Sequence, residues 1–252
     1  MVRLDQALVA RGLAPSRTRA AALITDGHVR VGGRPVTKPG ARVGDDDDIE
    51  LDHTDHYVSR AAHKLIGALD ALELRPYGRA LDAGASTGGF TQVLLERGVT
   101  HVHAVDVGHD QLHPSIREDP RVSVHERFHL RDLTLALVDD TPLDWLVADV
   151  SFISLTKILE PLFGVLAEHG QALLMVKPQF EVGRTRLGAG GVVRDEDDRE
   201  QAIAGVISAA DELGWTCRAR TSSPVPGEYG NREEFVWMTR TVPSPRPPIL
   251  NP

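Results

Sequence analysis

The sequence predicts an α/β protein in which helices cover both faces of a mostly parallel sheet, with a small α+β segment before it. Three observations lead to this fold class. From residue 79 onward, short apolar runs alternate with helical stretches, which is the pattern of a parallel sheet. A glycine-rich turn directly follows the first apolar run, at the point where such sheets bind ligands. Residues 1–42 differ from the rest in charge, which indicates a separate segment.

The positive charge is concentrated in this first segment. Residues 1–42 hold eight arginines and lysines against Asp5 and Asp26, a net charge of +6, whereas the whole chain has a net charge of −8. The remaining residues therefore carry a net charge of −14. Such asymmetry is typical of a nucleic-acid-binding segment. An ordinary solvated surface on a small domain is the alternative, and charge alone does not decide between the two.

The basic segment predicts two helices followed by short strands, because apolar residues recur at helical spacing and a Gly32-Gly33 turn separates two extended runs. The predicted elements are a helix near residues 4–13, a second helix between Ser16 as its cap and Gly27, a hairpin of residues 28–31 and 34–36, and a strand at residues 49–51.

Three stretches of this segment, residues 3–9, 16–21 and 27–33, resemble the S4 RNA-binding domain, and the resemblance extends over residues 1–52. The helix pair, the arginines and the hairpin occur in the order of that domain. The resemblance implies binding to structured RNA and does not fix a chemistry. The candidate RNA contacts here are Arg3, Arg17, Arg19, Arg30 and Arg34.

Residues 53–58 have little pattern and indicate a linker, and residues 59–242 predict one α/β domain. Its first helix is expected to be capped by Ser59 and to run to Leu72. The predicted strands are 79–83, 101–105, 122–125, 145–149, 171–176, 215–221 and 234–240, and the later helices are 88–97, 154–168 and 196–213. The proline-rich residues 243–252 predict a disordered tail.

The turn after the first strand of this domain indicates a nucleoside-containing cofactor. Its glycines let the backbone approach a ligand closely, and the helix that follows presents free N–H groups. Asp106 ends the next strand, where an acidic residue accepts hydrogen bonds from a ribose diol. The dinucleotide pattern G-x-G-x-x-G is absent, and the order D-x-G-x-x-x-G-G resembles the S-adenosylmethionine (SAM) loop of Rossmann-like methyltransferases. A plain strand-to-helix turn is the alternative. The candidate cofactor contacts are Asp82, Gly84, Ser86, Gly88, Phe90, Asp106 and Asp149.

Two charged residues directly follow apolar runs at predicted strand ends. Asp149 follows residues 145–148, and Lys177 follows residues 172–176. A charge in that position is expected to face a cleft beyond the sheet. For each residue alone, a partly exposed charge at a strand end is the alternative. Lys64 lies in an amphipathic helix, where exposed lysines are ordinary.

Five stretches together resemble the haemolysin-A-type (TlyA) ribosomal RNA methyltransferases, which join an S4 domain to a catalytic domain like that of the 2′-O-methyltransferase FtsJ. These stretches are residues 59–65, 82–90, 148–154, 176–183 and 230–233. The resemblance implies a Rossmann-like SAM-dependent methyltransferase sheet, SAM as the cofactor, and ribosomal RNA or a ribosomal subunit as the partner, with cytidine as the modified nucleotide.

The resemblance also implies a Lys-Asp-Lys-Glu tetrad. By motif position its members are Lys64, Asp149, Lys177 and Glu233. Glu233 is chosen over its neighbour Glu234 because it stands two residues after Asn231, as in the Gly-Asn-x-Glu pattern of the family.

The chemistry of 2′-O-methylation needs these residue types. A ribose 2′-hydroxyl must lose its proton as it attacks the sulfonium methyl. A lysine serves as the general base only if its pKa falls from about 10.4 toward neutrality, and a second ammonium nearby and partial burial both act in that direction. We therefore predict Lys177 as the base, Lys64 and Asp149 as the groups that position or polarise the hydroxyl, and Glu233 as the group that orients a lysine.

A glycine-rich loop with three arginines, residues 184–194, follows the predicted base. It is either a flexible surface loop or a lid that clamps the RNA backbone, and Arg184 and Arg186 are its candidate RNA contacts. The eleven histidines show no metal-ligand spacing, so no metal is expected.

Composition bears on the competing functions. No apolar run reaches the length of a membrane span and no signal peptide is visible, which argues against the pore-former that the haemolysin name suggests. The single cysteine, Cys217, fits a reducing cytoplasm. A non-catalytic RNA-binding or assembly factor with a methyltransferase fold is the other alternative. The S4 pattern begins almost at Met1, which favours action on the large subunit alone; the modified nucleotides, the adenine contacts and the oligomeric state stay open.

Overall fold

A computed structural model describes residues 1–14, 17–25, 27–51, 56–183, 186–188, 190–227 and 230–241. The chain forms two compact units that divide between His56 and Tyr57. The predicted linker lies partly outside the described residues, and the predicted tail, residues 243–252, lies wholly outside them. Tyr57 and Val58, the end of the predicted linker, belong to the second unit. They form hydrogen bonds to Glu96 and Gln92 in that unit.

The first unit is a small α+β fold, as the sequence predicts. Its elements are β1 (Val2–Arg3), α1 (Leu4–Ala10), α2 (Arg17–Thr25), β2 (Val29–Val31), β3 (Arg34–Pro35), β4 (Arg42–Val43) and β5 (Ile49–Leu51). Strand β2 pairs antiparallel with β3 and β5, and β1 pairs with β4. Leu4, Leu8 and Ile24 are fully buried between the helices and the strands, which explains the apolar spacing of both helices.

The second unit is an α/β fold. Its helices are α3 (Ala61–Ala71), α4 (Gly89–Glu96), α5 (Pro114–Arg117), α6 (Leu159–Gly164), α7 (Pro178–Glu181) and α8 (Glu196–Glu212). Its strands are β6 (Arg79–Ala83), β7 (His101–Val105), β8 (Val122–His125), β9 (Leu143–Ala148), β10 (Leu166–Val176), β11 (Trp215–Ser222) and β12 (Glu234–Arg240). Short 3₁₀ turns cover Leu130–Asp132, Leu135–Val138 and Leu155–Lys157.

The seven strands of this unit form one sheet in the order β11-β12-β10-β9-β6-β7-β8. All neighbouring pairs from β10 to β8 are parallel, whereas β12 runs antiparallel to both of its neighbours. The predicted fold class is therefore confirmed. Because β12 is reversed, its first residues lie at the same edge of the sheet as the carboxyl ends of β6, β9 and β10. That edge carries the candidate site.

Helices cover both faces of the sheet because the strand residues are apolar on both sides. Leu81, Leu146 and Leu174 pack into the core on one face, and Trp145 and Leu173 into the core on the other. All five side chains are buried, which is typical of a parallel sheet with two covered faces. Among the described residues, no helix combines the length and apolar character that a bilayer crossing requires.

Two local predictions were wrong. The helix expected over residues 154–168 ends at Gly164, because Leu166 already pairs with Leu143 and opens β10 five residues before its expected start. Ser59 does not cap α3: the N-cap is Arg60, with no side-chain cap, and the Ser59 hydroxyl is buried without a hydrogen-bond partner.

Candidate active site

The glycine turn after β6 has positive φ angles and close neighbours at Gly84 and Gly88. Gly84 has a φ of 87°, and a Cβ there would lie 2.5 Å from the Asp149 carbonyl oxygen. Gly88 has a φ of 93°, and a Cβ there would lie 2.9 Å from Leu112. Both positions favour glycine for conformation and for space. The turn therefore lies directly against the backbone that follows β9.

Asp106 is held rigidly at the end of β7. Its Oδ2 accepts a hydrogen bond from the Ser86 N–H at 2.8 Å, and its Oδ1 accepts one from the Gly108 N–H at 2.7 Å. Each carboxylate oxygen keeps acceptor capacity beyond these bonds. The carboxylate lines a cavity of about 530 Å³. It is thus oriented to accept hydrogen bonds from hydroxyl groups in that cavity.

Two cavities open at this edge of the sheet. The larger has apolar walls from Val107, Phe128, Leu130, Val150 and Ile153, together with Asp106, His129 and Phe152. The smaller, of about 280 Å³, is lined by residues that include Ser59, Arg60, Phe90 and Lys177. Gly84, Ser86, Asp149 and Ser151 line both. The cavities therefore meet between the glycine turn and the end of β9.

The predicted cofactor contacts divide into two groups. Gly84, Ser86, Asp106 and Asp149 line the larger cavity and Phe90 lines the smaller one, whereas Asp82 and Gly88 line neither. Asp82 is fully buried, and its Oδ2 accepts a hydrogen bond from the Thr91 hydroxyl at 2.7 Å. Burial raises the pKa of Asp82 to about 7. Asp82 thus connects the end of β6 to α4, and its side chain lines neither of the two cavities.

Lys177 lies at the rim of the smaller cavity, directly after β10. Its Nζ lies 2.5 Å from Asp149 Oδ1 and donates to the Ser151 hydroxyl at 2.8 Å. The Lys177 and Asp149 side chains are 11% and 16% exposed. One hydrogen bond, to Ser151, and one ion pair, with Asp149, therefore fix the direction of this amine, which also lines the cavity.

Lys64 and Glu233 form a second, more deeply buried pair. Lys64 Nζ donates to Glu233 Oε2 at 2.5 Å, and their side chains are only 8% and 2% exposed. Val176 pairs with Glu234 across the antiparallel strands β10 and β12, so Lys177, which follows Val176, and Glu233, which precedes Glu234, lie at the same edge of the sheet. The predicted quartet is therefore brought together as two lysine–carboxylate pairs.

Glu234 points away from this edge. Its Oε2 lies 3.2 Å from Arg199 on α8 and accepts a hydrogen bond from the Ser222 hydroxyl at 2.9 Å. Its Oε1 lies 3.3 Å from Arg220. Of the two adjacent glutamates, only Glu233 contacts a lysine of the quartet.

The arginines of the first unit are only partly available to RNA. Arg3 and Arg17 both bind Asp5, at 3.0 and 3.2 Å, and the hydrogen bond from Arg3 is the main cause that lowers the pKa of Asp5 to about 2. Arg30 donates to the Gly33 carbonyl at 3.3 Å. Arg34 is exposed on the hairpin. The side chain of Arg19 lies outside the described residues.

The two loop arginines remain unplaced as RNA contacts. Arg184 lies outside the described residues. Arg186 lies 3.1 Å from Asp198 and also contacts Gln201, so it is directed at α8. Its expected RNA contact would compete with these two partners.

Sequence reasoning missed several residues of this site. Ser151 holds Lys177, and its only signal was its place two residues after Asp149. Phe152 is 90% exposed at a φ of 66° on the rim of the larger cavity, with its ring centroid 5.4 Å from that of Phe180. Glu181 accepts hydrogen bonds from the Ser154 hydroxyl and the Leu155 N–H, which fixes the loop after β9. Glu181 lies in the stretch 176–183 that resembles the family, but its role was not predicted because its partners lie more than twenty-five positions away. In the described part of the chain, no group of three histidine, cysteine or acidic side chains is placed to hold a metal ion.

Known proteins resemble this chain over nearly its whole length. The S4 domain matches residues 2–49, and the FtsJ-like methyltransferase family matches residues 57–240. The 16S/23S rRNA (cytidine-2′-O)-methyltransferase TlyA of Mycobacterium tuberculosis is 48% identical over 94% of this chain and 89% of its own length. Hemolysin A of Brachyspira hyodysenteriae is 39% identical over 92% of this chain and 97% of its own.

A solved structure from Streptococcus thermophilus that carries the hemolysin name superposes with a TM-score of 0.76 at 35% identity, over 95% of this chain and 88% of that chain. Sequence, domain order and fold thus agree, and the chain belongs to the FtsJ-like methyltransferase family, in the group whose members carry an S4 domain and include TlyA.

Proposed function

We propose that this protein transfers a methyl group from SAM to the ribose 2′-hydroxyl of cytidine in ribosomal RNA. The observation that carries the proposal is the pair of lysine–carboxylate contacts beside the cavity of Asp106. The M. tuberculosis relative, at 48% identity, is named for this activity on 16S and 23S rRNA.

The larger cavity fits the cofactor. Asp106 accepts hydrogen bonds from the ribose hydroxyls, and the apolar walls of Val107, Leu130 and Ile153 hold the adenine ring. Gly84 and Ser86 face the amino-acid end, toward the smaller cavity that Lys177 lines. SAM supplies an electrophilic methyl group on a sulfonium. Asp82 and Gly88 stabilise the turn and make no contact of their own with the cofactor.

The proposed chemical step moves one proton. Lys177, as the free amine, would accept the proton of the 2′-hydroxyl while the oxygen forms its bond to the methyl carbon. The bond from that carbon to the sulfonium sulfur would break in the same step, and S-adenosylhomocysteine would be the leaving group. Asp149 and Ser151 hold the Nζ in a fixed direction. The Lys64–Glu233 pair lies at the same edge, where Lys64 helps to position the 2′-hydroxyl and Glu233 orients Lys64. Alignment of donor and acceptor supplies much of the remaining rate.

Charge-conserving replacement of Lys177 tests this assignment. Lys177→Arg keeps the positive charge but cannot release a proton near neutrality, so single-turnover methylation with saturating SAM should slow by roughly 10²–10⁴-fold, as with Lys177→Ala. The control is Lys157→Arg, at an exposed lysine outside the quartet, which should keep the wild-type rate. A near-normal rate for Lys177→Arg would remove Lys177 from the base role and leave Lys64 as the candidate.

Two domains divide the proposed work. Residues 1–52 hold the RNA, and residues 59–242 hold SAM and carry out the transfer, in the cytoplasm where ribosomes are found.

Arg34 is an exposed arginine of the hairpin and a candidate phosphate contact. Arg34→Ala should reduce the slope of log affinity against log salt by about 0.7–0.9, the contribution of one phosphate contact. Arg218→Ala, on the edge strand β11, is the matched control. An unchanged slope for Arg34→Ala would make that arginine an ordinary surface charge.

A non-catalytic assembly factor is separated from an enzyme by calorimetry with SAM, with and without rRNA. Absence of SAM binding would exclude the methyltransferase proposal. Mapping 2′-O-methyl sites on 16S and 23S rRNA from cells with and without the gene identifies the nucleotides. It also decides between action on one subunit and action on both, and the name of the 48% identical relative indicates both.

A further inference from the structure

Asn231 connects two segments that the chemistry described above does not use together. The side chain is in the turn before β12 and is only 2% exposed. Its Nδ2 donates to the Gly191 carbonyl at 3.2 Å, and its Oδ1 accepts from the Val193 N–H at 3.1 Å. One buried amide therefore binds the backbone of the glycine-rich loop through both its nitrogen and its oxygen.

Two backbone hydrogen bonds lie at the loop end of this connection. The Gly188 N–H donates to the Val192 carbonyl at 3.0 Å, and the Gly191 N–H donates to the Gly188 carbonyl at 3.0 Å. These bonds fix Gly191 and Val193 relative to each other, so that a carbonyl and an N–H face Asn231 together. An amide side chain suits that arrangement, since it carries one donor group and one acceptor.

The other end of the connection surrounds Glu233. The Asn231 carbonyl accepts a hydrogen bond from the Gly227 N–H at 2.9 Å. A Cβ on Gly227 would overlap Glu233 Oε1, so Gly227 packs directly against the carboxylate that binds Lys64. Asn231 is therefore bonded to the glycine that lies against Glu233.

We infer that Asn231 is a positioning residue that couples the glycine-rich loop to the Lys64–Glu233 pair. The inference rests on the proposed function, because it gives that pair a part in methyl transfer. In this arrangement the positions of the loop and of the Glu233 carboxylate are fixed relative to each other through Asn231. Freeing the loop displaces Glu233, and a group misplaced by about 1 Å in an active site costs on the order of 10²-fold in rate.

The first test compares loop release with rate. Asn231→Ala removes the bonds to Gly191 and Val193, and Asn231→Asp keeps the acceptor for Val193 while it loses the donor to Gly191. Both should expose Arg186 and Arg194 to trypsin and slow single-turnover methylation by roughly 10- to 100-fold, with SAM affinity changed by less than about twofold. Arg232→Ala, at the exposed neighbour, is the control that should do neither. A loop as resistant to trypsin as wild type in both variants overturns the inference, whatever the activity.

A double-mutant cycle tests whether Asn231 acts through Glu233. In the Glu233→Gln background, Asn231→Ala should slow methylation by no more than about twofold, because the group that it positions is already gone. Independent, multiplying effects would overturn the coupling. Gly227→Ala provides a second route that leaves both loop contacts of Asn231 intact, and it should slow methylation without exposing the loop to trypsin. If Glu233→Gln alone kept the full rate while Asn231→Ala released the loop, the catalytic proposal would fail and the structural connection would stand.

Discussion

The buried Lys64–Glu233 pair makes a prediction that separates stability from chemistry. We consider Lys64→Met, Glu233→Met and the double variant, which replace charged groups by apolar side chains of similar length. Each single change leaves one charge buried without its partner, since the two side chains are 8% and 2% exposed. The double change leaves neither charge.

The magnitude follows from this burial. Removal of one partner from a buried ion pair costs about 3–5 kcal/mol, whereas replacement of both by apolar residues is often neutral or stabilising. For a catalytic unit of this size, about 1 kcal/mol shifts the melting temperature by roughly 2–4 °C. Each single variant should therefore melt roughly 6–20 °C below wild type. The double variant should return close to the wild-type melting temperature.

Melting followed by circular dichroism, with single-turnover methylation measured well below the lowest transition, distinguishes the two roles. The double variant should regain stability and stay inactive, because a quartet needed for chemistry cannot be replaced by packing. A double variant that methylates at the wild-type rate would show the pair to be structural only. Three variants that melt alike would show that the two charges do not compensate each other.

Three further outcomes follow from single residues. Asp106→Ala should weaken SAM binding by on the order of 2–3 kcal/mol in calorimetry, and unchanged affinity would move the cofactor elsewhere. Burial, His101 and Arg79 lower the pKa of His103 from 6.5 to about 4. The unfolded chain therefore binds the extra proton, and stability in urea should fall by about 3 kcal/mol from pH 6.5 to pH 4, a loss that His103→Gln should reduce. The pH dependence that Asp82 contributes has the opposite sign, because its pKa is raised from 3.8 to about 7 and the folded state therefore holds the extra proton. Stability should fall by about 4 kcal/mol as the pH rises from 3.8 to about 7. Equal pH dependence in Asp82→Asn and wild type would contradict this.

The position of the site could be predicted from the sequence because of a property of parallel sheets. Their carboxyl ends meet at one edge, so Asp106, Asp149 and Lys177 had to lie near one another once each followed a predicted strand. The glycine turn could be placed on the same grounds. These inferences needed only local patterns and the rule that the strands are parallel.

The pairing within the site could not be predicted in the same way. Lys64 and Glu233 are 169 positions apart, and neither lies in a pattern that specifies its partner. Asp82 shows the same limit at short range. Its place before the turn is that of a ligand contact, but the side chain turns inward to Thr91, because a strand end presents its residues to both sides. The network that fixes Glu181 and Asn231 likewise joins segments distant in the chain.

Only one of the two lysines of the quartet lines either cavity, and this difference supports the roles proposed for them. Lys177 lines the smaller cavity together with its two partners, Asp149 and Ser151. Lys64 lines neither cavity. A group that exchanges a proton with a substrate must be reachable from the cavity that admits the substrate, which favours Lys177 for the proposed base. Lys64 is enclosed with its own carboxylate, which favours a positioning role for that pair. The Lys64 and Glu233 variants described above test this division, because they change the enclosed pair and leave Lys177 in place.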